Sequence, residues 1–338
     1  MDVFSYSLCI CCDAENAVQQ QCRFSRTQHS DIDKYIGNIG EFILPYIGRG
    51  ASNHYNLYKH KFRSTKSMTK INIAMAQMQV SDSLEHNLAK VVEYVQLAAN
   101  NGVDIICLPE SFFFMGTCEQ EKLKLVEKLG SGKIQDQLQE LALNNKIGIL
   151  AGTLPVKSIN DEQMFACCVF IGSDGKLVAS YNKIHLFDAK LSTGEEFKES
   201  TCISHGKEIT TFDYLDTTMG LSVCYDIRFP ELYIKQANLG AKIFFIPSAF
   251  AYTTGMAHWH VLARARAIEN FSYVVAPNQV GEQPSGRRTY GHSLIVSPWG
   301  EVVVDMKDNE GLHQEILNLE NVNLAREQIP SLTHRCLF

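Results

Sequence analysis

The sequence has little of what marks a nucleic-acid or membrane protein. Its 338 residues carry 31 Lys and Arg against 37 Asp and Glu, a net charge of −6, so there is no basic excess to neutralise phosphates. No apolar run approaches the roughly 18 residues that suggest a membrane span. Stretches such as Ile243–Ile246 are only strand-sized. The start, MDVFSYSLCICCDAEN, lacks a basic segment ahead of a sustained apolar core and does not read as a secretory signal. Asp13, Glu15, Asp31 and Asp33 argue against a mitochondrial transit peptide, which is poor in acids. Glycine-rich phosphate loops, internal repeats and low-complexity tracts are absent.

The 11 cysteines form no evident disulfide framework. In the body of the chain they fall in apolar stretches: Cys107 in VDIICLPE, Cys167 and Cys168 in MFACCVFI, Cys224 in LSVCYD. Buried free thiols in a reducing compartment account for these better than disulfides, and the expectation is a cytoplasmic protein. Cys9, Cys11, Cys12 and Cys22 cluster, but their spacing fits no zinc pattern and no histidine is close enough to complete one.

What is present is an ordinary globular composition, 45% hydrophobic and 20% charged, in a chain long enough for a large core. Residues 1–67 read as an N-terminal extension, flexible or the product of a misassigned start. PYIGRGASNHYNLYKHKFRSTKS has no apolar period and several breakers. Residues 68–338 read as one catalytic domain. Strand 71–80 leads to Asp82-Ser83-Leu84-Glu85, a helix start, and Leu88, Val91, Val92 and Val95 then share a face. Val103–Leu108 suits a strand covered on both sides. A polar helix is expected near 119–145, then strand 146–154 and a hairpin through Ser173-Asp174-Gly175. Strands at 210–215, 219–224, 242–247 and 272–277, with helices at 230–239 and 257–269, continue the pattern. A last strand pair flanks Pro298-Trp299-Gly300. Such a mixture of βα units and hairpins implies α/β layers with a mixed sheet.

In three places a reactive polar residue closes an apolar strand: Glu110 in VDIICLPE, Lys183 in SYNKIHLFD and Cys224 in GLSVCYDIRFPE. Active sites of α/β folds gather at such ends. Taken singly, each has an ordinary structural explanation. A buried cysteine is usually inert, a lysine on a strand snorkels, and a glutamate after proline starts a helix. Together they form a chemistry. A thiol with pKa about 8.5 needs a base or a nearby cation. A buried carboxylate can take its proton and later activate water, and an ammonium can hold the oxyanion.

These segments in this order, with CYDIRFPELY, IPSAFAYTTGMAHWHVLARARAIEN and YGHSLIVSPWGEVV, resemble the nitrilase (carbon–nitrogen hydrolase) superfamily over about residues 70–330. The resemblance implies a four-layer αββα sandwich, neither metal nor organic cofactor, and a homodimer. It implies Cys224 as nucleophile, Glu110 as general base and Lys183 as oxyanion stabiliser or proton donor. It further implies a supporting carboxylate, for which Glu199 fits better than Glu195 or Glu196, and an oxyanion donor in the backbone N–H of Tyr225. CYDIRFPE looks like the branch acting on deaminated glutathione, which implies hydrolysis of a small carboxylated amide to acid and ammonia through a thioester. Omega-amidases, other short-chain amidases or carbamoylases, and a non-catalytic scaffold on the same fold are the alternatives. His260 stands where relatives usually carry Glu. Asp226, Arg228 and Glu231 could bind a substrate carboxylate or form a structural ion-pair network, the latter being favoured. A Cys–His site using His185, His258 or His292 lacks any supporting signature around Cys224.

Overall fold

The computed structural model describes residues 69–337 apart from 192 and 193, so the extension and its cysteine cluster lie outside the described residues. The first half of the described chain runs β1 (Lys70–Gln77), α1 (Leu84–Asn100), β2 (Ile105–Cys107), α2 (Lys133–Asn145), β3 (Gly148–Lys157), β4 (Met164–Ile171) and β5 (Leu177–Asn182). A short hairpin, β6 (Asp188–Lys190) and β7 (Glu196–Lys198), leads into β8 (Thr211–Tyr214) and β9 (Thr217–Leu221). Then come α3 (Pro230–Asn238), β10 (Ile243–Phe245), α4 (Tyr252–Asn270), β11 (Tyr273–Ala276) and a second hairpin, β12 (Val280–Glu282) with β13 (Arg288–Tyr290). The chain finishes with β14 (Leu294–Val296), β15 (Val302–Asp305), β16 (Gly311–Asn318) and α5 (Glu320–Gln328).

Two six-stranded sheets result, ordered β16-β1-β2-β3-β4-β5 and β15-β14-β11-β10-β9-β8. Each has three parallel strands in the middle, as βα units demand, and antiparallel strands at both edges. Strand alternation builds the layers. Ile71, Ile73 and Met75 join a core shared with Met219, Leu221 and Leu294 of the second sheet. Ala74 and Ala76, the intervening residues, pack with Val91 and Val95 of α1 and Leu138 of α2. Trp259 and Ala263 of α4 belong to the inter-sheet core's cluster and close the opposite side. The architecture is the expected αββα sandwich.

Local signals explain most element ends. Ser83 caps α1, its side chain accepting from the His86 N–H at 3.3 Å. Pro230 occupies the first turn of α3. The expected continuous helix over 119–145 is broken. A 3-10 turn covers Glu119–Leu125, and α2 starts only at Lys133, after Gly130 and Gly132 at φ of 85° and 147°. Backbone in that region of φ belongs to glycine, and it interrupts any helix. Strand β16 has no strong pattern of its own. Its burial comes from lying antiparallel to the whole of β1, from Lys70 opposite Asn318 to Gln77 opposite Gly311.

Candidate active site

Glu110 follows Pro109 just beyond β2. Strand β3 crosses so close there that a Cβ on Gly152 would sit 2.1 Å from the Pro109 carbonyl oxygen. Only glycine permits that approach, which sets Glu110 at the strand end. Lys183 directly follows β5; its N–H donates to the Ala166 carbonyl (3.0 Å) and its carbonyl accepts from Gly206 (2.9 Å). Gly206 is again obligatory, since a Cβ would lie 1.9 Å from the Asn182 oxygen. Cys224 opens a 3-10 turn, Cys224–Arg228, in the left-handed region at φ 45°. A non-glycine residue there carries strain of order 1–3 kcal/mol that the surroundings must hold. Its N–H donates to the Pro247 carbonyl at 3.0 Å.

The first sheet supplies Glu110 and Lys183, the second supplies Cys224, and Asp226 ties them together. Asp226, wholly buried, accepts from the N–H of Val223 (2.9 Å), the hydroxyl of Tyr181 (2.8 Å) and the N–H of His185 (3.0 Å), with the His185 ring Nδ1 2.7 Å away. Tyr181 and His185 flank Lys183, so one carboxylate aligns the lysine segment with the cysteine turn.

Lys183 has no solvent exposure. Its ammonium donates to Glu110 Oε1 at 2.9 Å and to Glu199 Oε1 at 2.8 Å. The other oxygens are also occupied: Glu110 Oε2 accepts from the Ala249 N–H (2.9 Å) and Glu199 Oε2 from the Phe187 N–H (2.7 Å). Gln279 donates to the Glu110 carbonyl at 2.6 Å. Burial opposes charge on Lys183, but Glu110 and Glu199 outweigh it and hold the ammonium well above its usual pKa. Burial pushes Glu199 above the ordinary carboxylate range, against the pull of Lys183. Burial also pushes the Cys224 thiol up; Glu110 adds to the rise and Lys183 counters it. The Cys224 sulfur thus has a carboxylate and an ammonium among its charged neighbours.

A cavity of about 110 Å³ opens onto Glu110, Glu199, Cys224 and Tyr225, with Arg228, Arg287 and Arg288 also on its walls. Glu199 is thus the carboxylate on Lys183. Glu196 is exposed on β7, and Glu195 lies 3.4 Å from the Thr253 hydroxyl. The ring of Tyr225 packs on Phe187, 4.9 Å between centroids. Its N–H, in the first turn of a helix, has no acceptor in the helix's own ladder. The expected grouping of Asp226, Arg228 and Glu231 divides three ways. Asp226 is held in the fold's own hydrogen bonds, Arg228 lines the cavity with no ion pair among the described residues, and Glu231 is exposed. Arg228 instead lies over the rings of Tyr225 (5.7 Å) and Phe250 (5.4 Å), 3.3 Å from His258 Nδ1.

The histidines stand apart from the lysine. His185 stacks on Phe229, 3.6 Å between centroids. His260 and His292 both bond Asp305, at 3.1 and 2.9 Å. Among the described residues these three are the ones whose ligand atoms, within 4.8 Å of one another, could hold a metal. The Lys307 ammonium already sits on the same carboxylate at 2.5 Å, where it would repel a cation. Sequence reasoning missed the N–H groups of Ala249 and Phe187 because a backbone donor has no side-chain signature. It missed Gln279 because only a contact across 169 residues gives it a role. It also passed over the adjacent Arg287 and Arg288, at the start of β13, because two exposed charges alone carry no signal of a site.

Residues 72–327 match the family model described as carbon-nitrogen hydrolase. A deaminated glutathione amidase from Synechocystis is 37% identical over 265 residues, 78% of this chain and 97% of that protein. The human omega-amidase NIT2 is 33% identical over 263 residues, 78% of this chain and 94% of its own length. Among solved structures, Saccharomyces cerevisiae Nit3, described as a member of branch 10 of the nitrilase superfamily, superposes with a TM-score of 0.71. It is 30% identical and covers 79% of this chain and 97% of its own.

Proposed function

The chain belongs to the carbon-nitrogen hydrolase family, and from that premise we propose that it is a cysteine-dependent amidase cleaving a small carboxylated amide. The thiol of Cys224 attacks the amide carbonyl while Glu110 takes its proton. Burial pushes the Cys224 thiol up, which favours proton transfer to Glu110 as the sulfur attacks. Lys183 and the N–H of Tyr225 hold the oxyanion, and Glu110 returns the proton to the leaving nitrogen. Water activated by Glu110 then hydrolyses the thioester, releasing the acid. Glu199 keeps Lys183 charged and aimed. The observation that carries the reading is the buried Lys183 bonded to two carboxylates beside a cysteine in a cavity.

The kinship with deaminated glutathione amidases favours a substrate of that type, with omega-amides of keto acids as the second choice. Arg228, unpaired and near Cys224 in sequence, suits the substrate's proximal carboxylate. Val261 and Ile268 lie two turns apart on α4 and are 67% and 42% exposed; with Trp299 at 53% they support a homodimer through that side. The free thiols among the described residues support a reducing compartment, the cytoplasm. A release assay over deaminated glutathione, keto-acid omega-amides, N-carbamoyl amino acids and nitriles tests the proposal. Turnover of the amides with an acyl adduct on Cys224 is expected; turnover of nitriles alone, or an adduct on another cysteine, overturns it.

A further inference from the structure

The charges on the cavity wall do not balance locally. Lys183 is shared by Glu110 and Glu199, and Lys122 by Glu119 at 2.9 Å. Lys198, Arg228, Arg287 and Arg288 remain, and among the described residues none has a carboxylate within 4.0 Å. Arg228 is half-buried in the turn that carries Cys224, whereas Arg287 and Arg288 are exposed at the start of β13. The three guanidiniums thus sit at two levels, one in the turn of Cys224 and two at the rim, while Lys198 is exposed on β7.

Each rim guanidinium lies over an aromatic ring. Arg287 lies over Phe197 at 4.4 Å and Arg288 over Tyr252 at 4.1 Å. Such a contact engages the charge without using a hydrogen-bond acceptor, so N–H donors are left for a planar bidentate acceptor. One Arg287 nitrogen, Nη2, bonds the Glu196 carbonyl at 2.5 Å, which fixes the side chain and leaves other donors open. Two adjacent guanidiniums, immobilised on aromatic rings and lacking an acid of their own, are organised in advance for an anion.

We propose that Arg287 and Arg288 form a subsite for a second carboxylate of the substrate, borne on the nitrogen side of the scissile amide. This rests on the amidase reading and sharpens it. The substrate is an acid amide with one carboxylate near the reacting carbonyl and another at the end of a short amino-acid or peptide tail. A simple omega-amide, with a single carboxylate, leaves the rim empty.

The test compares deaminated glutathione with the same molecule carrying a C-terminal carboxamide, which removes only the distal charge. The wild-type protein should prefer the free acid by about tenfold in kcat/KM, chiefly through KM, the scale of charge-assisted hydrogen bonds at a partly exposed site. In R287Q/R288Q that ratio should fall to near one, and R287K/R288K should recover part of it. A variant that merely loosens the rim weakens both substrates equally and keeps the ratio. A wild-type ratio of one, or a ratio that survives in R287Q/R288Q, overturns the subsite. Calorimetric binding of both molecules to Cys224→Ala protein, with and without the rim substitutions, reads the same ratio without turnover. If the wild-type protein hydrolyses neither molecule, the preference for deaminated glutathione as substrate fails while the calorimetry still decides the subsite.

Discussion

Two polar clusters in this molecule are opposites in charge. At one, the Lys183 ammonium is gripped by the carboxylates of Glu110 and Glu199. At the other, the Asp305 carboxylate is gripped by Lys307, His260 and His292. The arrangements are near mirror images, yet only the first adjoins a thiol and a cavity. Lys183 is fully buried and its partners Glu110 and Glu199 are 9% and 20% exposed, whereas Asp305, at 11%, is met by a Lys307 that is 64% exposed and a His260 that is 31% exposed. Water and salt screen the second cluster, so its members can be exchanged at small cost. In the first, removing one partner strands a buried charge. Burial rather than the number of ion pairs separates a reactive centre from a surface brace.

The contrast is sharpest at the sulfur. Cys224→Ala should abolish turnover while the thermal transition stays in place, because the covalent step has no substitute. Residual activity in a single-turnover assay would move the chemistry elsewhere. Next in size, Glu110→Gln and Lys183→Met should each lower kcat at least about a hundredfold, the usual loss for a base or an oxyanion donor. Iodoacetamide should alkylate Cys224 more slowly in the Lys183 variant, since the cation that favours thiolate is gone. A normal rate for Glu110→Gln, with a histidine variant dead, would replace this mechanism by a Cys–His one.

The mirror cluster should respond weakly. Asp305→Asn is expected to lower the Tm by about 2–4 °C and to spare kcat, since a few hydrogen bonds are lost at a site away from the cavity. Burial opposes ionisation of Asp305, but Lys307, His260 and His292 hold its pKa down to about 2. A carboxylate so depressed stabilises the fold fully above its unfolded pKa of about 3.9, and that contribution fades as pH falls towards about 2. The Tm gap between wild type and Asp305→Asn should therefore narrow below about pH 4. A gap that widens on acidification would show that the histidines, not the carboxylate, govern this cluster.

Motifs that end apolar strands were legible in the sequence, which is why Glu110, Lys183 and Cys224 could be named before any coordinates. Those strands by themselves implied α/β layers with a mixed sheet; the four-layer αββα arrangement came from the resemblance to the nitrilase superfamily. Less was visible where the cause is non-local. Asp226 read as a substrate contact or an ion-pair member, and its bond to Tyr181 joins segments 45 residues apart. Strand β16 lacks a clean alternation because its pairing with β1, not its own pattern, makes it a strand. The polar segment 119–145 looked helical because glycine at 130 and 132 weakens a helix pattern only when its φ is known.

The pairing of β1 with β16 also constrains when the molecule can work. Synthesis delivers the first strand of the domain early and its edge partner near the end, with almost the whole described chain between them. Until Gly311–Asn318 leaves the ribosome, β1 presents an open edge, and the sheet that carries Glu110 and Lys183 is incomplete. A contact of such long range is among the slowest to form. The sheet that carries Glu110 and Lys183 is thus completed only after Cys224 and the whole second sheet have been made.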